Sequence, residues 1–392
     1  MQILLIAASV LVSGTGCAQD AQMAVAQNTV LYPAPRQVPE VYINLSDEQV
    51  KDQARERNYT DLPAESLLIS GSNPQSTPSK VAEGEQVMLE PFEVNSKTLY
   101  RINGEDYLIR RPLEENSNAK TAVANCAKRL NTLQASHPDV RVYTYFITRA
   151  TDCNWFSSYN NIQVFDYASY FEQQLGADTQ ITSSRYVIQN LQDYKDTGYK
   201  TDFHVNNVGS YRVYRDIYTM LSADMQLSPL QSPLRENDFS KLPMIGDLFD
   251  EEMLKSVTLS NAEMDVFKVY EFDYGSYTTF VNDKKMTIGL EEEYAKGMID
   301  RSPTFGHQFS YYGGQTGIVR FEFEQPDKPN LLLLSDSQGR PSRKLLASHF
   351  NRTIFLDDVQ WRSEDIDKII QDNDIGVVIL MGQESMFELY NG

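Results

Sequence analysis

Three residue types in this chain could together perform acyl transfer: a serine placed where a strand ends, a histidine to take its proton, and a carboxylate to orient the histidine. The serine is Ser337, which follows the apolar run 331–334 inside Ser335-Asp336-Ser337-Gln338-Gly339, ahead of a helical stretch at 344–350. At such a junction a hydroxyl stands at the sheet edge, and the backbone N–H groups that open the next turn can face a developing oxyanion. Only four histidines exist, His137, His204, His307 and His349. His137 precedes Pro138 in a helix-to-strand turn and His349 falls late in a helix, so both have structural roles, while His307 sits in a glycine-containing loop. His204 differs, because Asp202 stands two residues before it. In an extended segment that spacing puts both side chains on one face, where the carboxylate can fix the imidazole tautomer.

The elements around these residues read as α/β. A helix is predicted over 119–135, a strand over 140–147 and a helix over 208–220. Three apolar runs follow at 331–334, 353–356 and 376–381, separated by helix-like segments. Continuous rather than alternating apolar character indicates strands buried on both faces, hence a largely parallel sheet, and ligands of such sheets bind where strands end and helices begin. A small hairpin is expected at 98–102 and 107–109 around Asn103-Gly104, and Tyr-rich alternation at 266–277 is strand-like. Tyr211, Tyr214 and Tyr218 recur at helical spacing as core residues.

Two blocks carry a resemblance. Thr201-Asp202-Phe203-His204-Val205-Asn206-Asn207-Val208-Gly209-Ser210-Tyr211 resembles the T-D-H-H-W-T-x-x-G-A-Y signature of the bacterial DHHW family, with Asp202, His204, Gly209 and Tyr211 matching directly. The leucine run into Ser335-Asp336-Ser337, then Leu345, Leu346, His349 and Phe350, then Ile354-Phe355-Leu356-Asp357, resembles that family's strand, D-S, helix and strand ending in Asp. Ile102-Asn103-Gly104 and Tyr312-Gly313-Gly314-Gln315 are further echoes, and the resemblance covers roughly residues 95 to 385. Phe203, Val205 and Ser335 stand where the related pattern has His, Trp and Gly.

The DHHW family is similar to the SGNH-hydrolase-like domains of alginate O-acetyltransferases. The resemblance implies an SGNH-hydrolase-like three-layer α/β fold with a central, mostly parallel sheet, and a triad of Ser337, His204 and Asp202. It implies a serine-dependent acetyltransferase or acetylesterase acting on cell-envelope or secreted polysaccharide, without a cofactor or metal, and with a membrane-bound acyl-donor protein as a further candidate partner. The alternative is a non-catalytic carbohydrate-binding or assembly subunit on the same scaffold. Gln315 and Gln338 are candidate oxyanion or substrate contacts, with a turn-closing role open for Gln315. Arg340 and Arg343 could orient an anionic sugar by bidentate contacts but read first as solvated surface residues, and Trp155 and Phe156 as candidate sugar-stacking rings.

With 35 basic and 54 acidic residues in 392, the net charge is −19. That charge repels phosphate backbones and anionic lipid headgroups, so nucleic-acid binding is not expected and membrane contact is expected only through a lipid anchor. Residues 3–12 form an apolar run too short to span a bilayer, followed by small residues and Cys17, the outline of a signal peptide (1–17) with a candidate lipidation cysteine. Residues 18–85, rich in Gln, Pro, Ser and Asn, read as a flexible tether or extension, with a short polar helix at 46–57, and 86–392 as the SGNH-hydrolase-like domain. The three cysteines cannot build a zinc cage. Export would permit a Cys126–Cys153 disulfide, against which stands Cys126's place on an apolar helical stripe with Val123, Ala127, Leu130 and Leu133.

Overall fold

Leu331, Leu332, Leu333 and Leu334 are all wholly buried, which a strand achieves only when both faces of its sheet are covered. In the computed structural model of the chain, the described residues are 113–388, except 153–163, 177–178, 245–264, 288–310, 313–316, 359, 362–363 and 384, together with four short strands before them. All lie in one compact unit, residues 37–392.

In chain order the strands are Asn58–Asp61 (β1), Leu89–Val94 (β2), Lys97–Ile102 (β3), Leu108–Arg110 (β4), Arg141–Ile147 (β5), Thr182–Tyr186 (β6) and Arg235–Met244 (β7). They continue with Asp265–Glu271 (β8), Thr278–Val281 (β9), Lys284–Lys285 (β10), Val319–Glu322 (β11), Asn330–Ser335 (β12), Arg352–Asp357 (β13) and Ile375–Gly382 (β14). The helices used below are Ser117–Ser136 (α1), Tyr167–Gln174 (α2), Leu191–Thr197 (α3), Asn207–Ser222 (α4), Arg343–Ala347 (α5) and Ile366–Asp372 (α6).

The main sheet has the order β10-β9-β11-β13-β12-β14-β5-β6. Its five strands from β13 to β6 are parallel, and β11, β9 and β10 extend it antiparallel. Alternate residues of β12 enter two separate cores. Leu331 and Leu333 join Tyr214, Ile217 and Leu221 of α4 and Leu345 and Leu346 of α5. Leu332 and Leu334 join Val123, Ala127 and Leu130 of α1, Phe171 of α2 and Ile370 of α6. The period-2 alternation of a strand thus produces a helix–sheet–helix sandwich of three layers. The chain leaves β12 toward β13 on one side and leaves β5 toward β6 on the other, so the carboxyl end of β12 lies at the point where the winding reverses.

The hairpin expected around Asn103-Gly104 forms from β3 and β4. The alternating stretch beginning near 266 is β8, antiparallel to β7. Within the segment read as a tether, β1 pairs antiparallel with β7, Asn58 opposite Asp238. Its sequence, Asn-Tyr-Thr-Asp, has no apolar alternation, so only the partner strand reveals it. The expected polar helix at 46–57, Cys17 and the signal segment lie outside the described residues. No helix among the described residues is long and apolar enough to cross a membrane.

Candidate active site

The serine is held by carboxylate bonds rather than by a long helix. After β12 the chain enters a 3-10 turn, Ser337–Ser342, capped by Asp336. Asp336 accepts the Gln338 N–H at 3.0 Å with one oxygen and the Gln383 N–H at 2.8 Å with the other, tying the ends of β12 and β14 together. Gly382 makes room for that carboxylate: its φ is +153°, and a Cβ there would stand 2.6 Å from Asp336 Cγ. Ser335, at the position where the resembling pattern has glycine, is wholly buried and donates to the Asp336 carbonyl at 2.9 Å. Gly339 accommodates it, because any Cβ there would collide with the Ser335 hydroxyl. Pro341, inside the turn, helps explain why the helical pattern expected from 344 is preceded by a tighter coil.

The histidine rides on an excursion between α3 and α4. Gly198 and Val205 form an antiparallel bridge, and the Asn206 N–H donates to Thr197 O at 2.9 Å. Asn206 then caps α4 by accepting from the Val208 and Gly209 N–H groups at 2.9 and 3.0 Å, while its Nδ2 donates to the Asp196 and Gly198 carbonyls. Gly209 lies against Thr197 so closely that a Cβ would strike its carbonyl oxygen, which accounts for the glycine at that place. The Asp-x-His segment is not the extended stretch expected. It is a bend in which Asp202 Oδ1 accepts the His204 backbone N–H at 2.8 Å, and this local bond brings the two side chains together.

His204 Nδ1 stands 2.6 Å from Asp202 Oδ1, and His204 Nε2 stands 2.8 Å from Ser337 Oγ. An ionised carboxylate only accepts, so Nδ1 carries the proton and Nε2 is left to accept the Ser337 O–H. Asp202 and His204 are each 3% exposed, whereas Ser337 is half-buried, so its two partners are the more shielded from water. Phe203 stacks on the imidazole, ring centroids 4.2 Å apart, and restricts its tilt. Gln338, a candidate oxyanion contact, has its side-chain N–H bound within the protein. Its Nε2 donates to the Phe203 carbonyl at 3.2 Å and its backbone N–H is bound by Asp336, so Gln338 joins the serine turn to the histidine bend. Ser337, first in its turn, supplies a backbone N–H of the kind helix starts leave without an internal partner.

Arg340 and Arg343 are buried rather than solvated: Arg340 pairs with Asp357 at the end of β13 at 2.8 Å, and Arg343 lies over the Phe355 ring at 5.3 Å. The candidate Cys126–Cys153 bridge is not formed. Cys126 is a free thiol in the core beneath α1, its Sγ 3.9 Å from the Met386 carbonyl oxygen, and burial pushes its pKa far up. His349 is buried and accepts or donates at 2.7 Å with Tyr214 Oη, and burial lowers its pKa to about 4. His137 ends α1 and pairs with Asp367 at 2.7 Å. Gln315, Cys153, Trp155, Phe156 and His307 lie outside the described residues.

A five-strand parallel core with helices on both faces defines a three-layer α/β fold, and the hydrogen-bonded Asp202–His204–Ser337 chain lies at the carboxyl end of β12. Solved structures similar to this chain include a DHHW family protein from Eubacterium siraeum, with TM-score 0.55, 17% identity and coverage of 79% of this chain and 96% of that one. Bacillus cereus PatB1 is similar at TM-score 0.58 and 17% identity, over 78% of this chain and 99% of that one. PatB1 with a sulfonyl adduct is similar at TM-score 0.56 and 17% identity, over 77% and 99%. No family model and no curated protein matches the chain.

Proposed function

We propose that this protein is an exported serine-dependent acyltransferase or esterase that moves acetyl groups on cell-envelope or secreted polysaccharide, with Ser337, His204 and Asp202 as its triad. The observation that carries the reading is the unbroken hydrogen-bond chain from Asp202 through His204 to a half-buried Ser337 hydroxyl, at 2.6 and 2.8 Å. Ser337 Oγ attacks the acyl carbonyl while His204 Nε2 takes its proton. The tetrahedral oxyanion is met by the Ser337 backbone N–H. Collapse expels the donor oxygen, to which His204 returns the proton, leaving an ester on Ser337. A sugar hydroxyl or water then attacks that ester while giving its proton to His204; the acyl C–Oγ bond breaks, His204 passes the proton to Ser337 Oγ, and the acyl group leaves on the acceptor oxygen. Asp202 stabilises the imidazolium throughout.

Export is supported by the apolar run at 3–12 and the small residues leading to Cys17. Hydrolysis of 4-nitrophenyl acetate, with and without added oligosaccharide, tests the chemistry. Ser337→Ala and His204→Ala are each expected to lose turnover by about 10⁴-fold or more, and Asp202→Asn to retain a trace. Acetylated oligosaccharide among the products identifies a transferase and acetate alone an esterase. Undiminished turnover in either alanine variant would refute the triad.

A further inference from the structure

The bend that carries Asp202 and His204 belongs to no helix or strand, yet it must hold a carboxylate to within tenths of an ångström of an imidazole. Its backbone is gripped from 64 residues away. Asp265, the first residue of β8, accepts the Lys200 N–H at 2.6 Å with Oδ1. Its Oδ2 accepts the Thr201 N–H at 2.8 Å and also the Thr201 hydroxyl. Asp265 is only 5% exposed, and Thr201 is buried as well.

Nothing in the strand itself calls for a carboxylate there. β8 pairs with β7 through the backbone, and Asp265 opens an inward-facing series that continues with Phe267 and Val269, both buried. At such a position an apolar side chain would suit the core, and a buried carboxylate is costly unless hydrogen bonds offset its lost hydration. All the bonds named above come from the two residues immediately before Asp202.

We infer that Asp265 is a positioning residue for the proposed acyl transfer, clamping Lys200 and Thr201 so that Asp202 meets His204 Nδ1. The inference rests on the triad reading above. Without the clamp, the half-buried Lys200 N–H and the buried Thr201 N–H lose these bonds to Asp265 and the bend relaxes, which moves Asp202 relative to the imidazole. A misplacement of about 1 Å lowers turnover by about 10²-fold. Asp265 is walled off from the surface, so substrate affinity is untouched.

The test compares Asp265→Asn and Thr201→Val with the unsubstituted protein. Two readouts are kcat and KM for 4-nitrophenyl acetate and the downfield proton resonance of the His204 Nδ1–H. For Asp265→Asn, kcat is expected to fall about 10- to 100-fold with KM within about twofold, and the resonance to shift or vanish. Thr201→Val, which removes only the hydroxyl bond, is expected to show a smaller change of the same kind and decides the matter if Asp265→Asn does not fold. Unchanged kcat with an unmoved resonance in the folded variants would overturn the inference. If the unsubstituted protein turned over no ester through Ser337, the triad reading would fall instead. The resonance would then still report separately on whether Asp265 sets the Asp202–His204 contact, an unmoved signal refuting it.

Discussion

Ser337 is presented by its neighbours more than by its own bonds. The Ser335 hydroxyl and Gly339 share one space, with a Cβ on Gly339 also 2.8 Å from Ser335 Cβ and 3.1 Å from Met381 Sδ. Gly339→Ala is therefore expected to destabilise by about 1–3 kcal/mol through overpacking and to displace the serine turn. The double variant Ser335→Gly/Gly339→Ala should recover most of the stability and ester turnover, since it removes both Ser335 atoms that the new methyl meets. Urea unfolding and 4-nitrophenyl acetate kinetics on the three proteins check this, and a double variant no better than the single one would contradict it. That Ser337, His204 and Asp202 come together was expected from a strand end, an acid two residues before a histidine and, above all, the resemblance of both blocks to the DHHW family. The roles of Gln338 and Asp265 were not readable, because each acts on a carbonyl or amide 135 or 64 residues distant. Sequence shows a glutamine near the nucleophile; only the fold shows that its amide is spent on Phe203.

The strands that build the site were the legible elements, since β12, β13 and β14 appear as apolar runs within one or two residues of their bounds. α1 and α4 were equally plain from their apolar stripes. What escaped was structure defined by partners: β1, whose four polar residues are ordered by β7, and the 3-10 turn, where a capping aspartate and a proline replace the expected regular helix start. Burial on both faces makes β12 the least tolerant of these elements. Leu333→Ala, which empties a wholly buried position between the sheet and the α4 layer, is expected to cost about 2–5 kcal/mol in urea unfolding. Asn206→Ala should cost about 1 kcal/mol for the lost cap of α4. It should also lower ester turnover, because the same side chain ties the Asp196 and Gly198 carbonyls beneath the histidine bend. A loss of stability with turnover unchanged would show that the cap supports the helix alone.

Two buried groups give the folded molecule opposing responses to acid. His349 is held near pH 4 by burial, well below an ordinary histidine, so in the interval from about 6.5 down to 4 the unfolded chain takes up a proton that the native state refuses. Its contribution is present above about 6.5 and is lost as pH falls. Asp265 is pushed up to about 6, chiefly by burial and further by the charge of Asp202. Its native state holds a proton that the unfolded chain releases near 3.9, so its contribution is present at low pH and is lost as pH rises through 6. Each is worth about 3 kcal/mol across the window, at 1.36 kcal/mol per pKa unit, and the two largely cancel. Relative to the unsubstituted protein, His349→Gln should lose stability as pH rises from 4.5 to 6.5, and Asp265→Asn should gain it. Parallel profiles for all three proteins would contradict these assignments. The three-layer sandwich itself followed from the run of buried strands, while the joining of its layers at the serine depended on contacts far apart in the chain. The most direct test of the triad is intact-mass analysis of the folded protein after exposure to a sulfonyl fluoride, beside Ser337→Ala and His204→Ala. One adduct, mapped to Ser337 and absent from both variants, is the expected result; no adduct on the unsubstituted protein, or an equal one on Ser337→Ala, would contradict it.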